Sequence, residues 1–186
     1  MKLLFDFCVS VLLLIILLIP MLVVALIIFF SSKGPVLYWS DRVGKGNKIF
    51  SMPKFRTMKT NTPHIATHLM KEPDIHLTSI GKLLRKTSFD ELPQLYTIIK
   101  GDMSIVGPRP ALFNQDDLIQ LRTEKGVDKI KPGVTGWAQI NGRDELSIPD
   151  KVSFDYEYLE FQSFWFDMKI LWITFLKVLN KKDISH

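Results

Sequence analysis

KLLRKTSFDELPQLYTIIKGDMSIVGPRP, residues 82–110, holds an acidic pair, a helical pattern and a stiff proline turn in one stretch. Asp90 and Glu91 stand beside Pro93 at the first turn of an expected helix. With Asp90 as the N-cap, Pro93 falls at the third helical position, where its missing N–H is no loss. With Ser88 as the N-cap, Ser88 and Glu91 form a capping box, but Pro93 then lies deeper and strains the helix. The first placement is preferred. It puts two carboxylates at the positive end of a helix, where the dipole and free N–H groups keep them ionised. Lys82, Arg85 and Lys86 precede them and Arg109 comes after, so the cluster suggests a site for a phosphate and a divalent ion. Acidic residues in a first helical turn usually only cap it. Gly107-Pro108-Arg109-Pro110 shifts that balance. Its prolines restrict the backbone and fix the direction of one guanidinium, which can grip a phosphate through two hydrogen bonds.

Upstream, Phe7 to Phe30 carries no charge, and Ser10 is its only strongly polar side chain. As a straight helix it would reach about 36 Å, against a bilayer core of about 30 Å. It is too long and uniform for a secretory signal, and no small-residue cleavage site comes after it. Pro20, near its middle, predicts a bend. Hydropathy alone favours a spanning helix; a bent, re-entrant helix that returns to the same side is the alternative. Lys33, Arg42, Lys45 and Lys48 place the remainder of the chain on the cytoplasmic side in either case. The whole chain, 186 residues with 24 Lys and Arg against 19 Asp and Glu, has a net charge of +5. That suits an anionic membrane surface or phosphorylated substrates. No nucleic-acid motif is present, and nucleic acid is not an expected partner. The single cysteine, Cys8, excludes a disulfide framework and a cysteine-based metal cluster.

Val36 to Phe50 has the pattern of a strand, a turn at Gly44-Lys45-Gly46-Asn47, and a second strand. The Walker spacing of a P-loop is missing from this glycine pair. In the extended KFRTM segment at 54–58, Lys54 and Arg56 point the same way, as a solvated basic edge or as a phosphate-facing pair. Thr60 to Pro73 is expected to be a loop. His64 and His68 there have a zinc-pair spacing but no third ligand, which argues against a metal role. Ile80 to Lys86 is expected as a short basic helix with Ile80, Leu83 and Leu84 on one face, and Asp116 to Glu124 as a plain surface helix. The segment 131–143, KPGVTGWAQINGR, is a glycine-punctuated loop, explained by close approach to a ligand or by ordinary turns. Arg143 within it is a candidate for phosphate or uracil contact. Phe154 to Leu179 is a long helical pattern broken near Ser163, with an aromatic stripe shared between the domain and lipid.

Taken together, the apolar N-terminus with its mid-helix proline, KFRTM at 54–58, SFDELPQL at 88–95, GDMSIVGPRP at 101–110 and KPGVTGWAQINGR at 131–143 resemble the bacterial sugar transferases. The likeness is to the small monotopic phosphoglycosyl transferases acting on polyprenol phosphate. The resemblance implies transfer of a sugar phosphate from a UDP-sugar to polyprenol (undecaprenyl) phosphate, with release of UMP. It implies that Asp90 is the nucleophile, forming a phosphosugar-aspartyl ester that the polyprenol phosphate then displaces. Glu91 would help position Mg²⁺ or assist the acceptor, Mg²⁺ would bridge Asp90 and the diphosphate, and Arg109 would hold phosphate. Lys54, Arg56, Arg85 and Arg143 are the further substrate contacts expected. The family's N-terminal helix is re-entrant, which overrides the hydropathy preference. Many members have Ser-Pro at the bend where this chain has Ile19-Pro20. Larger members carry extra membrane helices and a domain ahead of this core, which this sequence is expected to lack.

The expected fold is a helix-rich, irregular α/β arrangement. Residues 1–32 form a membrane re-entrant helix bent at Pro20. Residues 33–186 form a cytoplasmic catalytic domain with a short β-hairpin and interfacial amphipathic helices. The expected location is the cytoplasmic face of a bacterial inner membrane. Family habit favours an N-acetylated amino sugar, with galactose or glucose next. Expected partners besides the UDP-sugar, polyprenol phosphate and the lipid bilayer are a second copy of the chain, as a homodimer, and downstream glycosyltransferases. A lipid-binding scaffold and a metal-assisted phosphohydrolase acting on a UDP-sugar are the competing readings.

Overall fold

The computed structural model of the chain describes residues 1–62, 73–142 and 145–180. Its first element, α1 (Lys2–Ser31), is a single helix of 30 residues that continues past Pro20, so the expected bend is not a break in the helix. Its mean hydropathy peaks at 3.5, long and apolar enough to cross a membrane by length and composition. Leu12, Ile15, Ile16, Ile19, Leu22 and Leu26 are all exposed on it, an apolar surface that water does not favour.

Both ends of α1 are fastened to the rest of the chain. Near its start, Lys2 pairs with Asp167, and the buried Asp6 carboxylate accepts from Ser104 Oγ at 2.7 Å. Near its end, Val24 and Ile28 pack with Phe55 and Leu84. Arg56 Nη2 there donates to the Ser32 carbonyl at 2.9 Å, one of the acceptors a helix C-terminus leaves open.

The expected hairpin is present: β1 (Leu37–Val43) pairs antiparallel with β2 (Ile49–Phe55). The second strand runs further than its expected end at Phe50 and carries Lys54 within it. Gly46 and Asn47 in the turn both have positive φ, and Gly44 N–H donates to the Lys48 carbonyl at 2.8 Å. Next come α2 (Gly81–Thr87), a 3₁₀ turn over Phe89–Gln94, and α3 (Leu95–Lys100). On α2, Leu84 is buried as expected, but Leu83 is exposed, so the three predicted apolar residues do not share one packed face.

A second pair of strands has no counterpart in the sequence pattern: β3 (Ser104–Val106) and β4 (Gly133–Thr135) run parallel. Between them lies α4 (Asp116–Glu124), with the predicted limits. Two glycines of the 131–143 segment, Gly133 and Gly136, pack against the backbone at Gly107. A Cβ on Gly133 would stand 2.1 Å from Gly107 N, and one on Gly136 would stand 2.1 Å from Gly107 O. Two backbones cross there at a distance only glycine permits. The short α5 (Trp137–Ile140) leads to α6 (Ile148–Phe161) and α7 (Phe164–Asn180), separated at Gln162 and Ser163 as the sequence predicts. Tyr158 and Ile170 from these two helices pack with Val106 and Ile140, while Trp165, Trp172 and Phe175 stay exposed. The aromatic stripe therefore divides between core and surface.

Gly133→Ala is expected to destabilise the fold by about 3 kcal/mol or more through a backbone clash that cannot repack. Gly46→Ala, at φ +65 with open space around it, should cost only about 1 to 2 kcal/mol. Thermal unfolding of the two variants in the same detergent checks the order; equal losses would show that the crossing is not tight.

Candidate functional site

The acidic pair does not sit where the sequence placed it. Ser88, in the left-handed region at φ 57, is the N-cap, with no side-chain cap bond, and Asp90 and Glu91 occupy the first turn. The strain expected from a deep Pro93 is avoided because residues 89–94 adopt 3₁₀ geometry. That geometry does not pack the Pro93 ring against the carbonyl four residues back, as an α-helix would, and the α-helix begins only at Leu95.

Glu91 is the bridge of the site. Its Oε1 accepts from Lys54 Nζ at 2.7 Å and from Arg109 Nη2 at 3.0 Å. The hairpin, the acidic turn and the proline turn thus meet at one carboxylate. Asp90 is buried at 7% exposure, and its Oδ1 has no hydrogen-bond partner among the described residues. Burial raises its pKa above the ordinary carboxylate value. The Glu91 charge adds to that shift, while Lys54, Arg85 and Arg109 oppose it. The sequence reading counted only what favours the ionised form; withdrawal from water opposes it and outweighs the local cations in the direction of the shift.

The cations are shifted in the complementary sense. Lys54 is lowered chiefly by burial, opposed by Glu91. Arg85 is also lowered by burial, opposed by Asp90 first; its Nε donates to Thr57 Oγ1 at 3.1 Å. Arg42, which the sequence offered only as a topology signal, belongs to the same cluster. Burial and then the Arg109 charge lower it to about 10, so it stays cationic at neutral pH. Its Nε donates to Ser40 Oγ and its Nη1 to the Pro110 carbonyl. Strand alternation, with Ser40 and Arg42 on one face of β1, is the signal that could have found it.

Of the other predicted contacts, Arg56 is spent on the end of α1, with both terminal nitrogens bonded to carbonyls of Ser32 and Lys33. Lys82 pairs with Asp74 at the surface, and Lys86 is exposed. Arg143, His64 and His68 lie outside the described residues.

The proline turn is held by its carbonyls. Pro108 O accepts from Gly133 N at 2.9 Å, Arg109 O from Arg122 Nη1 at 2.9 Å, Pro110 O from Arg42 Nη1 at 3.2 Å, and Ala111 O from Val43 N at 3.0 Å. Arg122 lies on the helix expected to be plain surface, yet it is buried and paired with Asp155 at 2.6 Å. No local signal links two residues 33 positions apart.

Four cationic side chains (Arg42, Lys54, Arg85, Arg109) surround two carboxylates, an excess of positive charge that favours an anionic ligand. One carboxylate oxygen within the cluster, Asp90 Oδ1, has no partner among the described residues and could meet an electrophile or a cation.

The family model described as bacterial sugar transferase matches residues 1–181. The chain is 40% identical over 188 residues to the uncharacterised sugar transferase EpsL of Bacillus subtilis, across 100% of this chain and 91% of that protein. It is 41% identical over 193 residues to undecaprenyl-phosphate glucose phosphotransferase of Komagataeibacter xylinus, across 98% of this chain and 36% of that protein. It is also 41% identical over 154 residues to UDP-glucose:undecaprenyl-phosphate glucose-1-phosphate transferase of Escherichia coli, across 79% of this chain and 33% of that protein. The match thus spans about a third of the length of the two relatives named for an activity.

Because Asp90 holds its proton more tightly folded than unfolded, ionising it at neutral pH costs stability. Asp90→Asn should therefore raise Tm at pH 7, and the gain should shrink as pH falls toward the ordinary carboxylate range. Thermal shift at constant ionic strength measures it; a lower Tm for the variant at pH 7 contradicts the buried-charge reading.

Proposed function

The chain belongs to the bacterial sugar transferase family, and from that premise we propose that it transfers a sugar phosphate from a UDP-sugar to undecaprenyl phosphate, releasing UMP. The observation that carries this reading is the buried Asp90 carboxylate, with an oxygen that no group among the described residues satisfies, set among cations. A carboxylate nucleophile lets one phosphate pocket serve two successive displacements.

In the first step an Asp90 carboxylate oxygen attacks the β-phosphorus of the donor. The bond from that phosphorus to the bridging oxygen breaks, UMP leaves with the electron pair, and an aspartyl-phosphosugar ester remains. In the second step a phosphate oxygen of the acceptor attacks the same phosphorus, and the Asp90 carboxylate is released. Arg109 and Lys54 offset the charge on the transferring group, with Arg85 and Arg42 close by. Glu91 holds Lys54 and Arg109 in place, an orienting role that its two short bonds support.

Mg²⁺ fits these residues. Asp90 Oδ1 is an orphaned buried acceptor beside Glu91, and Mg²⁺ is commonly held by one or two carboxylates plus substrate phosphates. Asp90 and Glu91 would hold it, and when bound it would neutralise charge on the diphosphate.

We place the site at the cytoplasmic face of a bacterial inner membrane. The acceptor cannot leave the bilayer, and both ends of α1 are tied to the domain that carries the site. That arrangement supports a membrane segment that enters and leaves on one side. Exposed Lys33, Lys45 and Lys48 after it agree with the cytoplasmic face.

UMP release with undecaprenyl phosphate across a panel of UDP-sugars tests the proposal. The panel holds UDP-glucose and UDP-galactose beside their N-acetylated amino-sugar counterparts. One donor should support turnover, Asp90→Asn should abolish it, and Arg109→Ala should slow it about a hundredfold. Chelation of divalent ions should stop turnover and Mg²⁺ should restore it. UMP formed equally well without the acceptor would make the chain a hydrolase and overturn the transfer reading.

A further inference from the structure

Arg122, on α4, is 8% exposed, and Asp155, on α6, is 1% exposed. Arg122 Nε and Nη2 both donate to Asp155 Oδ2, at 2.9 and 2.6 Å. The third nitrogen, Nη1, donates to the carbonyl oxygen of Arg109 at 2.9 Å. A buried ion pair is poor evidence for stability, since desolvation offsets the attraction. Its geometry says more. A guanidinium is planar and rigid, so fixing two nitrogens on Asp155 fixes the direction of the third.

The third nitrogen lands on the peptide unit of the residue whose side chain bonds Glu91. Pro108 and Pro110 have no N–H, so the turn lacks amide anchors on either side of Arg109 and depends on its carbonyls. Two of those carbonyls are held by the side chains of Arg42 and Arg122. Arg42 lies within the charge cluster. Arg122 acts from behind the turn, through Asp155 and the backbone.

We infer that Arg122, anchored by Asp155, is a positioning residue that aims Arg109 at the phosphate site. This rests on the reading that Arg109 grips the donor's phosphate. Without the Arg122 bond, the Arg109 carbonyl loses its anchor while those of Pro108 and Pro110 keep theirs, so the peptide between them can tilt and its side chain shifts from the direction that meets a bound diphosphate. A misplacement of about 1 Å is enough to cost large factors in a preorganised site.

A double-mutant cycle on the full chain tests it, with UDP as the probe in titration calorimetry and Tm measured alongside. Arg122→Met is expected to weaken UDP binding about tenfold beside an intact Arg109, and by less than about twofold in an Arg109→Ala background. Arg122→Lys keeps the charge on Asp155 but loses the fork. It should hold Tm near the parent value while UDP binding still falls several-fold, a separation that a purely structural pair would not give. If the methionine variant does not fold, the lysine variant takes its place in the cycle. Equal losses in both backgrounds, or a lysine variant that binds UDP like the parent, overturn the inference and leave the proposed function standing. A parent protein that neither binds UDP nor releases UMP overturns both.

Discussion

Removing a carboxylate from water is expensive, and Asp90 is a carboxylate removed from water. The segments around it are arranged to make that tolerable. Lys54 arrives from the hairpin, Arg85 from α2 and Arg109 from the proline turn, and each lowers the cost of charging Asp90 without cancelling it. The result is a nucleophile candidate with an unsatisfied oxygen inside a cationic wall. An anionic ligand or a divalent ion would complete the charge balance. Among the described residues, the apolar side chains gather into several small clusters rather than one large core. The polar bridge through Glu91 adds ion pairs from the hairpin and the proline turn to the apolar contacts among these segments.

The proline turn shows how much backbone the site consumes. Four successive carbonyls, from Pro108 to Ala111, are each taken by a different donor. Gly107 is crossed so closely by Gly133 and Gly136 that no side chain fits at either. One arginine is held rigidly as a result. The same economy appears at α1, whose end is closed by Arg56 and whose start is held through Asp6 and Lys2. Residues that look like spare cations in the sequence prove to be structural donors to carbonyl oxygen.

Sequence pattern is a good guide where one local rule governs. The hairpin turn, the bounds of α4 and the interruption at Ser163 arise from turn chemistry and periodicity. The misplacement of the N-cap has a local cause as well: Asp90 suits the N-cap of an α-helix, but Pro93 selects a 3₁₀ turn capped by Ser88. Other features have no local trace. The parallel pairing of β3 with β4 joins three-residue strands far apart in sequence. The Arg122–Asp155 pair depends on two helices meeting, and neither residue stands out in its own segment. Arg56 carries a further role that its own segment does not show: its terminal nitrogens bond the carbonyls of Ser32 and Lys33 at the end of α1.

The central claim is chemical: the free oxygen of Asp90 becomes esterified to a phosphosugar midway through the proposed transfer. Intact-mass spectrometry after rapid mixing of the protein with its UDP-sugar, with undecaprenyl phosphate left out, addresses it most directly. The predicted result is a gain equal to one phosphosugar, absent from Asp90→Asn and discharged when the acceptor is added. A preparation that turns over with both substrates, yet never gains that mass however quickly it is quenched, would contradict the claim.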